Sequence, residues 1–200
     1  ELHDTLAQAG FRRVENWVYK PACQDCQACQ PIRVVCSEFS QSRNMKRLAA
    51  KHADLIATVL EGPLTDEHYD LFQRYLTSRH VDGQMGGMSK EEFSSMVENS
   101  PISSLLIDYR DTEGVLLASV LVDLQSDGLS AVYSFFEPDC PERSFGSFII
   151  LDLINRVQQS EAPYLYLGYY IAESRKMSYK ARYTPFEIFH GGTWQRGSSL

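Results

Sequence analysis

Hydrophobic and polar positions change rhythm along the chain, and each change marks an element. The most continuous apolar run, LLASVLVDL from Leu116 to Leu124, reads as an inner strand. Gln125-Ser126-Asp127-Gly128 reverses it into LSAVYSFFE, Leu129 to Glu137, because Asp-Gly between two such runs is a hairpin signal. The loop Pro138–Glu142 leads into a helix that begins near Arg143-Ser144-Phe145-Gly146. Phe148, Leu151, Ile154 and Val157 recur on one face of it. PYLYLGYYI, Pro163 to Ile171, is apolar enough for a buried strand. Ser174–Tyr183 has helical spacing, and Pro185–Phe189 reads as a last strand. With Leu105–Tyr109 ahead of the hairpin, the second half of the chain runs strand, strand, strand, helix, strand, helix, strand.

The first half is more broken. Leu2, Leu6 and Ala9 share a face of a short helix that Gly10 ends. FRRVENWVYK, Phe11 to Lys20, is aromatic and β-branched and predicts one strand. IRVVCSEF, Ile32 to Phe39, predicts another, with Cys36 inside it. Ser40 is placed to cap SQSRNMKRLAAKHADL, whose inner face is Met45, Leu48 and Ala49, with His52 beside it. Ile56–Glu61 is a strand that Gly62-Pro63 breaks. Thr65 starts a helix with Tyr69, Phe72, Tyr75 and Leu76 as its stripe and His80 as a polar group near its end. GQMGGM, residues 83 to 88, reads as a flexible connection. Ser89 opens a further short helix.

Composition narrows the function classes. The 200 residues are 44% apolar with a formal net charge of −7, which argues against indiscriminate nucleic-acid binding. Two basic clusters run against that total. Arg43, Lys46, Arg47 and Lys51 crowd one helix. Arg175, Lys176, Lys180 and Arg182 interleave with Tyr179 and Tyr183, with Lys176 and Lys180 on one helical face. Each cluster is either a solvated face or an RNA contact, and interleaved aromatics favour the second reading at 175–183. No apolar run reaches the ~20 residues of a membrane span, and no secretory signal is visible. Five cysteines without such a signal suit a reducing, cytoplasmic setting. The chain opens on Glu1 rather than Met inside a helical stretch, so a preceding segment is expected.

Four groups of residues carry candidate chemistry. Cys23, Cys26 and Cys29 have C-x2-C-x2-C spacing. That suits a soft metal, zinc or an iron–sulfur centre, or else reduced thiols in a tight loop. Asp123 is the acidic residue within an apolar strand, where an unpaired carboxylate is costly. It is a candidate to hold an ammonium or act as a base, with Tyr133 and Ser134 on the next strand as orienting groups. Arg143, Ser144 and Gly146 open a helix, where free N–H groups favour an anion. Arg12, Arg13 and Arg33 flank the cysteine loop and suit a carboxylate partner.

The order of elements from 105 to 189 resembles the acetyltransferase-like (GNAT) fold, an α/β arrangement on a mixed sheet. Arg143-x-x-Gly146 resembles the pyrophosphate motif of that fold. Phe148 stands where the motif wants a small residue, which argues against coenzyme A. A narrower resemblance covers nearly the whole chain. GFRR, YKPACQDCQACQPIRV and SQSRNMKR resemble the N-terminal region of the aminoacyl-tRNA–protein transferases of the N-end rule pathway. VDLQSDGLSAVYSFFEPD, RSFGSF, YLYLGYYI and KMSYKARYTPFEIF resemble their C-terminal region, in the same order. The division expected is residues 1–62, with the cysteine loop and basic helix packed against the rest, and residues 63–200, the acetyltransferase-like catalytic region.

The resemblance implies aminolysis of an aminoacyl-tRNA ester by the α-amine of a protein, with no cofactor required. The short length and cysteine loop are similar to the bacterial branch, which takes leucine from leucyl-tRNA and acts on N-terminal Asp or Glu, marking the protein for degradation. Arginyl-tRNA is the alternative donor. An acyl-coenzyme A transferase and a non-catalytic adaptor for acidic N-termini are the readings from other classes. Under the resemblance, Asp123, Tyr133 and Ser134 serve catalysis. Arg143, Ser144 and Gly146 meet a terminal phosphate. Lys176, Tyr179, Lys180 and Arg182 meet the acceptor stem, strand residues such as Phe135 and Tyr169 line the leucine pocket, and Arg12, Arg13 and Arg33 meet the acidic acceptor.

Overall fold

The computed structural model describes residues 2–79 and 88–197. Its helices are α1 (Leu2–Gln8), α2 (Arg43–Lys51), α3 (Asp66–Arg79), α4 (Lys90–Glu98) and α5 (Phe145–Gln159). Its strands are β1 (Arg12–Val14), β2 (Trp17–Tyr19), β3 (Gln30–Val35), β4 (Ile56–Val59), β5 (Ser104–Arg110), β6 (Leu116–Gln125), β7 (Gly128–Phe136), β8 (Tyr164–Tyr170), β9 (Phe186–His190) and β10 (Thr193–Arg196). Eight strands join in the order β10-β9-β3-β8-β7-β6-β5-β4, while β1 and β2 pair with each other. The sheet is mixed: β3 runs antiparallel to both β8 and β9, and β7 runs parallel to β8. Among the described residues no helix is long and apolar enough to cross a membrane.

The chain falls into two compact units that interleave in sequence. One comprises Glu1–Ser40, Asp123–Val132 and Leu153–Leu200; the other comprises Gln41–Val122 and Tyr133–Asp152. Residue 62, where the sequence reading divides the chain, lies inside the second.

In the first unit, Ile32 and Val34 of β3, Leu165 and Leu167 of β8, and Phe186 of β9 are buried. Such β-branched and aromatic residues favour strands because their side chains pack well on a pleated surface. In the second unit α3 turns Leu71, Phe72 and Leu76 inward against Phe93 of α4, Leu116 and Phe135. Phe72 stacks on Phe93 at 4.4 Å, and Phe135 meets both rings edge-on at 5.6 Å. Ser89 and Glu92 form a reciprocal capping box at the start of α4.

Several local expectations change. Phe11–Lys20 is not one strand: the chain reverses at Glu15 (φ 48°), and Arg12 faces Tyr19 across the β1–β2 hairpin. Ser42, not Ser40, caps α2 by accepting from the Met45 N–H at 3.3 Å. Cys36 begins a 3-10 turn, Cys36–Glu38, rather than continuing the strand. Burial of its thiol pushes the pKa up to about 12. Ser174–Tyr183 holds a 3-10 turn at Ser178–Arg182 in place of the expected helix. Strand β10 was not expected; Gly191 and Gly192, both at positive φ, turn β9 back onto it. His80 and residues 83–87 of the expected connection lie outside the described residues.

Candidate active site

Asp123 is fully buried, and Arg13 meets both of its oxygens: Nε donates to Oδ2 at 2.7 Å and Nη2 to Oδ1 at 2.6 Å. His3 Nε2 lies 3.5 Å from Oδ2. The inner-strand acid expected to need a partner has one, in the Arg13 guanidinium. That arrangement directs both residues toward each other rather than toward a substrate. Arg33 is likewise taken. It bonds Glu187 through Nε at 2.9 Å and Nη2 at 2.7 Å, receives the Tyr164 and Trp194 rings at 3.5 and 4.2 Å, and donates to the Tyr166 hydroxyl at 3.1 Å.

Arg12 behaves differently. The ladder between β7 and β8 runs from Gly128–Tyr164 to Ser130–Tyr166 and then stops. Beyond that point Arg12 Nη2 donates to the Val132 carbonyl at 2.9 Å. Its Nη1 stands only 1.7 Å from where a Cβ on residue 168 would be, so Gly168, at φ +75°, lets the guanidinium lie on the β8 backbone. One residue on, Lys180 Nζ donates to the Tyr169 carbonyl at 2.6 Å. Burial, then the charge of Arg12, lowers the Lys180 pKa to about 8. The Tyr169 hydroxyl donates to the Tyr19 carbonyl at 2.9 Å, and burial raises its pKa to about 12. Burial also raises the Tyr179 pKa, against an opposing effect of Arg12. Arg12, Gly168 and Tyr169 line a small cavity of about 20 Å³, room for roughly one water, together with His3 and Trp194.

The structure therefore separates Lys180 from the basic residues grouped with it by sequence. Lys176 and Arg182 are exposed, whereas Lys180 is only 8% exposed, because the chain forms a 3-10 turn and not a helix with a common face.

In the second unit Arg143 holds both oxygens of Asp54, at 2.8 and 3.0 Å, and lies 5.1 Å from the Phe145 ring centre. Ser144 adopts a left-handed conformation, φ 54°, and its carbonyl accepts from the Ser147 N–H. A Cβ on Gly146 would meet nothing nearer than the Phe136 ring at 3.4 Å, so no close backbone approach demands glycine there. Phe148 stacks on His52 at 4.2 Å. The guanidinium of this helix-start motif thus already has an anion, and Phe148, its sixth position, is taken up by packing.

Tyr133 packs edge-on to Phe72 at 6.0 Å, and its buried hydroxyl has no hydrogen-bond partner among the described residues. Burial, with Tyr75 adding to it, holds its pKa well above the usual tyrosine value, so the hydroxyl stays a donor at neutral pH. Ser134 is partly buried on the same strand.

Sequence reasoning missed a buried network in this unit. His68 Nδ1 accepts from the Thr65 N–H at 3.1 Å, so Nε2 carries the proton and donates to Asp108 at 2.9 Å. Ser119 donates to the other Asp108 oxygen at 2.7 Å. Burial pushes the Asp108 pKa up, but the bonds from His68 and Ser119 outweigh it and the net shift is downward. Every partner is internal, which makes this a fold-holding cluster. The sequence signal was Asp108 inside the Leu105–Tyr109 run, the same mark that singled out Asp123.

Cys23 and Cys26 are exposed and Cys29 is partly so. Among the described residues no three His, Cys, Asp or Glu side chains stand in metal-holding geometry. The α2 cations Arg43, Lys46 and Arg47 are exposed.

Comparison with known proteins follows the same lines. Residues 1–47 match the family model for the arginine-tRNA-protein transferase N terminus, and residues 67–190 match that for its C terminus. A relative from Granulibacter bethesdensis named aspartate/glutamate leucyltransferase is 45% identical over 194 residues, covering 97% of this chain and 73% of its own. Two solved structures share the fold alone. L-PGS from Bacillus licheniformis has a TM-score of 0.60 at 11% identity, over 81% of this chain and 60% of that one. A GCN5-related glucosamine N-acetyltransferase region of a fungal multi-domain GH3 beta-N-acetylglucosaminidase has a TM-score of 0.53 at 12% identity, over 94% of this chain and 21% of that one. The fold is thus acetyltransferase-like, and the chain, matched at both its N- and C-terminal regions, belongs to the arginine-tRNA-protein transferase family.

Proposed function

We propose that this protein transfers leucine from leucyl-tRNA to the α-amine of proteins beginning with Asp or Glu, marking them for degradation in the cytoplasm. The observation that carries the reading is 45% identity, over 97% of this chain, to a relative whose name states that activity. That identity favours leucine over arginine as the donor group.

The chemistry is ester aminolysis. The acceptor's α-amine, with an ordinary pKa of ~7.7–8.0, is partly neutral at physiological pH. Its nitrogen attacks the leucyl carbonyl; the C–N bond forms, and the C–O bond to the terminal ribose breaks. The proton lost by the amine ends on the departing ribose oxygen. No protein nucleophile is needed, so the protein's work is orientation and stabilisation of the oxyanion. Tyr133 fits the second task, since its buried hydroxyl lacks a partner among the described residues and remains protonated. The exposed cations Arg43, Lys46, Arg47, Lys176 and Arg182 suit tRNA phosphates.

The test supplies radiolabelled leucyl-tRNA or arginyl-tRNA with peptides beginning with Asp, Glu, Asn, Lys or Arg. Leucine appearing on Asp and Glu peptides alone is expected. Arginine on the same peptides would move the protein to the other donor, and label on Lys or Arg peptides would overturn the acceptor assignment.

A further inference from the structure

We infer that Arg12 and Lys180, held at the adjacent β8 residues Gly168 and Tyr169 where the β7–β8 ladder stops, form the subsite for the side-chain carboxylate of the acceptor's first residue. The inference rests on the transferase reading above and adds to it the residues that select Asp and Glu.

Where a ladder ends, backbone carbonyls lose their partners and must find others. Here two cations fill that role: Arg12 Nη2 takes the Val132 carbonyl and Lys180 Nζ takes that of Tyr169. Carbonyl oxygens satisfy donors but do not cancel charge. Arg13 and Arg33, by contrast, are neutralised by Asp123 and Glu187. Two positive groups, one of them 8% exposed, are therefore held with no carboxylate partner among the described residues. Holding such charge away from water is unfavourable until an anion arrives. The lowered Lys180 pKa reflects that strain, from burial first and Arg12 second.

The shape favours a carboxylate over a nucleic-acid phosphate. A guanidinium edge and an ammonium, anchored on residues 168 and 169, suit one planar two-oxygen group. Lys180 is too enclosed for a polyanionic backbone, whereas Lys176 and Arg182 nearby in sequence are open to it. Gly168 is part of the device, because any side chain there would collide with Arg12.

Binding of fluorescent peptides beginning with Asp, Glu, Asn or Gln to the full chain, read by anisotropy, tests this directly. The parent should prefer Asp to Asn by ~10–100-fold, the range expected of a charged hydrogen bond. Arg12→Gln and Lys180→Met should each lose most of that preference by weakening Asp and Glu binding, with deacylated leucine tRNA bound as before. Arg12→Lys, which keeps the charge, should retain part of it. Because Lys180→Met removes a buried bond, NMR of lysine-labelled parent protein supplies a second readout: the Asp peptide, and not the Asn peptide, should shift the Lys180 signals. Folded variants that discriminate Asp from Asn as the parent does would overturn the subsite. So would loss of tRNA affinity with peptide binding intact. Absence of leucine transfer alongside an Arg12-dependent Asp preference would sink the transferase reading and leave the subsite standing.

Discussion

Arg13 and Asp123 lock together through two parallel hydrogen bonds of 2.7 and 2.6 Å, with both residues almost wholly removed from solvent. A buried pair of this kind punishes the loss of one partner more than the loss of both. Asp123→Asn should therefore destabilise the protein by the order of 3 kcal/mol, because Arg13 keeps its charge and loses its counterion. The double variant Arg13→Met with Asp123→Leu should recover most of that. Urea unfolding of the parent and these two variants decides it. A loss of transfer in Asp123→Asn at unchanged stability would instead place the carboxylate in the chemistry.

His52 should make stability fall in mild acid. It is 2% exposed, its Nδ1 bonds the Leu48 carbonyl at 2.9 Å, and its Nε2 has no partner among the described residues. Burial lowers its pKa, helped by Arg143 and Lys51 and opposed by the Leu48 carbonyl and Asp54. The unfolded chain thus binds the proton more readily than the folded one. The contribution is intact above the unfolded value near ~6.5 and diminishes as pH drops below it. Denaturation midpoints of His52→Leu measured between pH 7.5 and 5 should show a shallower fall than the parent's.

Binding of tRNA should be salt-dependent despite the acidic total charge. Each phosphate contact removed lowers the magnitude of the log–log salt slope by roughly 0.7–0.9. Lys176→Ala with Arg182→Ala, and separately Arg43→Ala with Arg47→Ala, should each flatten the slope by about two contacts' worth if both residues touch phosphate. A slope identical to the parent's would return that cluster to a solvated surface.

Gly128→Ala should be among the more damaging single changes. Gly128 has φ +153°, and a Cβ there would sit 1.8 Å from the backbone carbonyl oxygen of Tyr164. The clash is with main chain at the start of the β7–β8 pairing, so no side chain can move aside. The expected loss is at least ~2 kcal/mol, the scale of strained backbone, visible as a lower melting temperature.

Family membership and most of the elements were legible in the residues alone. The strands around Leu116–Glu137 and Pro163–Ile171 were legible because apolar continuity and an Asp-Gly turn are local signals. The helix from Phe145 was legible from its 3.6-residue period. Chain reversals were less so: Phe11–Lys20 has strand composition throughout, and the bend at Glu15 costs only one left-handed residue that composition does not announce.

Which charges can meet a substrate became clear only from how the strands pack. Arg12, Arg13 and Arg33 are indistinguishable as residue types near the cysteine loop. Asp123 lies 110 residues from Arg13 and Glu187 lies 154 residues from Arg33, separations across which a linear pattern carries no pairing information. Lys176 and Lys180 differ for a related reason. Spacing put them on one face, but a tight turn exposed the first and laid the second on the Tyr169 carbonyl. Local propensity sets elements within a few residues. The state of a buried charge depends on which distant strand closes over it, and that is settled only when the sheet forms.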